Sequence, residues 1–170
     1  MKRKSAQEEM IGFALIIILV AVIFLIFLGF SLRNSSKDSV ESYEVESFLQ
    51  GVLQYTSDCE LVGRGFRSIQ DLIFDCYGGV EGGKMCLNEA SSCDILTETL
   101  EEIADSSWKA GEEFPVKKYE LKIKQEGLDE AVLIIKNGVE LEKYENMKGD
   151  SQPLSKAGMD NMELLFRAYY

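Results

Sequence analysis

"YELKIKQEGLDEAVLIIKNGVELEKY", residues 119–144, is where the apolar period changes from helix to strand. Tyr119, Leu121 and Ile123 alternate with Glu120, Lys122 and Lys124, the period-two pattern of a strand with one buried face. "AVLIIK", residues 131–136, is a continuous β-branched and apolar run that suits a central strand. Asn137-Gly138 then separates it from "VELEKY", so a tight hairpin turn is expected there. Residues 145–160, with their glycines and Pro153, read as a loop. Met162, Leu164, Phe166 and Ala168 alternate with Glu163, Arg167 and Tyr169 and predict a closing strand. A mainly antiparallel sheet of about four strands over 115–170 follows.

Upstream the period is helical. Val45, Phe48, Leu49, Val52 and Tyr55 share one face, which predicts a helix over 39–58 that Asp38 and Glu41 help to begin. "GRGF", 63–66, is a turn, and Ile69, Leu72, Ile73 and Cys76 stripe a short helix started by Ser68 and Asp71. Leu96, Leu100, Ile103 and Ser107 mark a third helix from about 93 to 109, stopped by Gly111, with Trp108 as a core anchor. Helices over 39–110 followed by a sheet over 115–170 make an α+β unit at 39–170.

The N-terminal part has a different composition. No charged residue stands between Met10 and Leu32. Such a run forms a helix of roughly 34 Å, against about 30 Å for a hydrocarbon core. The sequence therefore predicts a basic leader at 1–9, a transmembrane helix at 10–32 and a polar hinge at 33–38. A cleaved secretory signal has a shorter apolar region and small residues at its cut site, and "GFS" at 29–31 lacks them. Lys2, Arg3 and Lys4 outnumber Arg33 and Lys37, which places the N-terminus in the cytoplasm and the later residues outside, as a single-pass protein of the cell membrane.

Composition narrows the chemistry. The 170 residues carry a net charge of −11 and no histidine. An acidic surface repels phosphate backbones, which excludes nucleic acid as a partner. The missing imidazole removes Ser-His-Asp and Cys-His catalysis and His-ligated zinc. Gly83-Lys84 is followed by Met85, so the glycine-rich stretch 77–92 lacks a phosphate-binding G-K-[ST] signature. No catalytic residue, cofactor or metal ligand is assigned, and the chain is not read as an enzyme. Cys59, Cys76, Cys86 and Cys93 are spaced C-x16-C-x9-C-x6-C without a C-x2-C pair. Outside the cytoplasm that number reads as two disulfides. Three connectivities are open, and Cys76–Cys86 with Cys59–Cys93 is the preferred one.

A basic leader, a long apolar helix directed outward, a cysteine-stapled loop and a terminal antiparallel sheet together resemble an archaeal type IV pilin-like protein with a class III signal peptide. "KRKSA/QEEMIGF" resembles the processing site, with Ala6 before the cut and Gln7 as the first mature residue. The cut puts Glu8 and Glu9 at the second and third mature positions. The resemblance implies a surface-filament subunit whose apolar helices pack into the filament core. The expected function is therefore a membrane-anchored extracellular structural protein. Its alternative is a non-polymerising anchored ectodomain that acts as a cell-envelope binding or accessory protein. Membrane lipid and self-association, or other envelope proteins, are the expected partners. Asn34-Ser35-Ser36 is also a glycosylation sequon.

Overall fold

A computed structural model describes the backbone of residues 3–79 and 82–170, and side chains for residues 13, 15–28, 43–79 and 82–170. Contacts divide the chain into two units, Met1–Glu41 and Ser42–Tyr170.

The first unit is helical throughout its described residues and belongs to α1, Arg3–Gln54, whose range takes in the expected hinge at 33–38. Among the described residues no helix is long and apolar enough to cross a membrane. The expectation of a transmembrane helix at 10–32 is corrected on that ground. The α+β class and the four-stranded antiparallel sheet stand.

The second unit opens with the last turns of α1, which bury Val45, Leu49, Val52 and Leu53. This helix ends at Gln54, four residues before the expected limit, because the chain turns into an unforeseen hairpin. Strands β1, Thr56–Leu61, and β2, Gly65–Ser68, pair antiparallel. In β1, Ser57, Cys59 and Leu61 point inward and alternate with exposed or half-buried residues. Two of those inward residues are small, so the period-two signal was faint. The turn between the two strands is made by residues 62–64, so Gly65 and Phe66 of the expected "GRGF" turn belong to β2.

Helix α2, Ile69–Tyr77, starts as its sequence implies: the Asp71 amide donates to the Ser68 hydroxyl at 3.2 Å. Helix α3, Ser92–Ser107, is capped by Ser91 and ends at Trp108, which is buried.

Four strands complete the unit: β3 (Lys118–Gln125), β4 (Ala131–Gly138), β5 (Met147–Leu154) and β6 (Met162–Tyr169). They form one antiparallel sheet in the order β4-β3-β6-β5. Its inner face buries Tyr119, Leu121 and Ile123 of β3 and Met162, Leu164, Phe166 and Ala168 of β6, the two alternating sets legible in the sequence. Phe166 is the centre of an aromatic cluster, with ring centroids 4.9 Å from Phe48 and Trp108 and 5.7 Å from Tyr119.

Two strand assignments change. Asn137-Gly138 is not a hairpin turn; both residues belong to β4 and lie opposite Tyr119 and Lys118. The β3–β4 turn is made instead by residues 126–130. Gly138, at φ 113°, leads the chain off the sheet, where a Cβ would overlap the Lys117 carbonyl and come within 2.7 Å of Lys118 Cα. "VELEKY" is therefore a connection, held by the Val139 amide to the Lys117 carbonyl at 2.9 Å and by the Tyr144 hydroxyl to the Val139 carbonyl at 2.9 Å. The missing strand is β5, inside the expected loop at 145–160. Pro153 disguised it, and the sheet accepts a proline there because β5 is an edge.

Candidate functional site

The cysteines lie together beside the hairpin, where two disulfides form: Cys59–Cys86, with Cα atoms 5.2 Å apart, and Cys76–Cys93, 4.9 Å apart. Two disulfides were expected, but the preferred connectivity is replaced. Cys59 points inward from β1, and the Leu87 amide donates to the Glu60 carbonyl at 2.8 Å, which draws the loop at Cys86 alongside β1. Cys76 at the end of α2 then meets Cys93 at the start of α3. Gly83 lets the loop cross this second bridge: at φ 76°, a Cβ there would come within 2.7 Å of Cys93 Sγ.

A buried carboxylate lies beneath the same loop. Asp75 Oδ2 accepts from Arg67 Nε at 2.8 Å and Asp75 Oδ1 from Lys84 Nζ at 2.5 Å. Arg67 also reaches Asp71 at 3.0 Å, and Asp71 reaches Lys156 at 3.0 Å. The network joins β2, α2, the disulfide loop and the β5–β6 connection. Burial pushes the Asp75 carboxyl up, and the hydrogen bonds from Lys84 and Arg67 outweigh it, holding the group below the usual carboxylate range. The helical spacing did not single out Asp75, which lies outside the stripe of Ile69, Leu72, Ile73 and Cys76; its burial comes from the fold.

On the outer sheet face Glu120 pairs with Lys118 at 2.9 Å and Lys122 at 2.7 Å. Burial opposes its charge, but the two lysines hold its carboxyl down to about 2. Hydrogen bonds donated to Glu140 and Glu120 hold the Lys118 ammonium above its ordinary value. Tyr119 donates to Asp105, and burial together with that carboxylate raises its phenol.

These shifts set a pH dependence. Asp75 and Glu120 titrate lower folded than unfolded, so the stability they contribute is complete above the ordinary carboxylate range and is lost as pH falls through their lowered values. We expect the urea midpoint to fall steeply between about pH 4.5 and 2. Asp75→Asn, which strands Lys84 and Arg67, should cost about 3 kcal/mol at pH 7 and flatten part of that decline. An unchanged pH profile in the variant would show that Asp75 does not carry it.

Among the described residues, no buried side-chain nitrogen or oxygen lacks a partner and no cluster of three acidic or cysteine residues could hold a metal ion. A groove of about 550 Å³ opens at one end of the sheet between Leu128, Pro153 and Met162. The polar groups on its rim satisfy one another: Gln125 donates to Asp160 at 2.7 Å, and Asn161 to Glu126 at 2.6 Å.

The surface that demands a partner is on α1. Phe13, Leu15–Val20 and Val22–Leu28 are all exposed, between 38 and 67 %, on consecutive positions and hence around the whole helix. Ala6, Gln7, Glu8 and Glu9 fall within the helical backbone of α1, but their side chains lie outside the described residues, as does that of Asn34. No protein-family model, curated protein or solved structure matches this chain.

Proposed function

We propose that this chain is a structural subunit, pilin-like in plan, that assembles through its apolar helix and presents the Ser42–Tyr170 unit outside the cytoplasm. The observation that carries this reading is the run of fourteen large apolar side chains exposed between residues 13 and 28. Each is worth about 1.5–3 kcal/mol when fully buried, so the surface drives association strongly. The same helix in other copies is a matching cover, because an apolar surface on every side can be buried by several neighbours at once. Two disulfides support an oxidising location. Stapling is also the way a small unit resists unfolding on an exposed fibre.

Processing between Ala6 and Gln7 belongs to this reading. The new α-amine of Gln7 would pair with Glu8 or Glu9 of a neighbouring copy as the helices register, an attraction that grows once water is excluded.

The test is electron microscopy of cells producing the full chain, wild type and Phe24→Lys. We expect filaments from the wild type and none from the variant, with the circular dichroism of the α+β unit unchanged. Filaments that survive Phe24→Lys, or a wild-type protein recovered only as single copies, would overturn the proposal. N-terminal mass spectrometry should give Gln7 as the first residue; a chain starting at Met1 or Lys2 would remove the pairing scheme.

A further inference from the structure

The two edges of the four-stranded sheet are built differently. Edge strands expose unpaired amides and carbonyls that invite another strand, and proteins block them with proline, with inward-pointing charges or with covering elements. Strand β5 is blocked in two of these ways. Pro153 removes a donor. Lys148, Asp150 and Gln152 lie opposite Ala168, Phe166 and Leu164, so polar side chains occupy the inward-facing register of that edge.

Strand β4 lacks these devices. "AVLIIK" carries no proline, and among the described residues no strand pairs with β4 on the side away from β3. Its one irregularity is at its start, between Ile123 and Lys124 of the partner strand; from Leu133 to Gly138 the ladder is regular. Leu133 and Ile135 face inward opposite Ile123 and Leu121, whereas Ile134 faces outward opposite Lys122 and is 52 % exposed. Ile134 is the large apolar side chain that β4 itself exposes on the outer face, beside Lys122 of β3.

We infer that β4 is an interface between two copies of this chain, paired antiparallel to make one eight-stranded sheet. Charge selects both the partner and the direction. Asp129 and Glu130 precede the strand and Lys136 stands near its end. Antiparallel pairing of β4 with β4 brings the acids of one copy beside the lysine of the other at both ends, and parallel pairing sets like against like. The two-fold arrangement also places Ile134 of each copy against the central apolar residues of the other, which removes the exposed side chain from water.

This contact does not depend on α1, and its test keeps the two apart. The full chain is held in a detergent that covers residues 13–28, and its detergent-corrected mass is followed by sedimentation across concentration. We expect a two-copy species that Ile134→Lys weakens at least tenfold, because a lysine there would lose its water against the apolar residues of the other copy. Phe24→Lys should leave it intact. Single copies at every concentration, or an association indifferent to Ile134→Lys, would overturn the inference while leaving helix-driven assembly untouched. Should Ile134→Lys disturb the near-ultraviolet circular dichroism, hydrogen exchange on the wild type decides. Amides of β4 should exchange more slowly at high concentration while those of β5 do not change; equal behaviour of the two edges would overturn it.

Discussion

Reduction of Cys59–Cys86 and Cys76–Cys93 should lower the melting temperature of the Ser42–Tyr170 unit by roughly 20–30 °C. The bridges close segments of 27 and 17 residues. Restricting loops of that size in the unfolded chain contributes about 3 kcal/mol each. Single domains hold about 5–15 kcal/mol in total, so losing both bridges removes a large share. The glycine-rich loop has few inward side chains besides Cys86 and Cys93, and without the bridges Lys84 would no longer be held against Asp75. Thermal melts with and without a reductant measure the effect; a change below about 5 °C would show that packing alone holds this corner. Peptide mapping without reduction should recover Cys59 linked to Cys86 and Cys76 linked to Cys93.

Phe166→Ala should cost about 4 kcal/mol, or roughly 15 °C in melting temperature. Phe166 is fully buried on the central strand β6 and touches aromatic rings from α1, α3 and β3. Truncation leaves a cavity that rings fixed on three different elements cannot collapse to fill. Trp108 is the only tryptophan, so its fluorescence reports directly on the loss. Emission should shift to the red and the denaturation midpoint should fall, with Phe166→Leu in between. A variant as stable as the wild type would mean that the cluster is loosely packed.

The exposed surface of α1 was legible as a run of uncharged residues, since hydropathy needs no partner to be read. What covers it is not written in that run, because lipid and a second apolar helix reward the same side chains. The buried network at Asp75 was not legible: Asp75 lies outside the apolar stripe of α2, and Arg67 and Lys84 lie on different elements and come to it only through the fold. The β4 edge was read as a central strand, because burial on two faces and exposure of an edge leave the same β-branched signature.

By itself the sequence determined the α+β class, the helices α2 and α3 and the strands β3 and β6. Each of these carries a repeating apolar period or a cap within a few residues, and such signals arise from local backbone geometry. The tertiary structure alone decided the rest. Cys59 pairs with Cys86 because the loop runs beside β1, a proximity no spacing encodes. Asn137-Gly138 ends a strand because the Lys117 carbonyl leaves no room for a Cβ, although the same dipeptide in isolation favours a hairpin. Pro153 lies in a strand because that strand is an edge, and strand order is set by which faces bury together, a property of the assembled sheet and of no single segment.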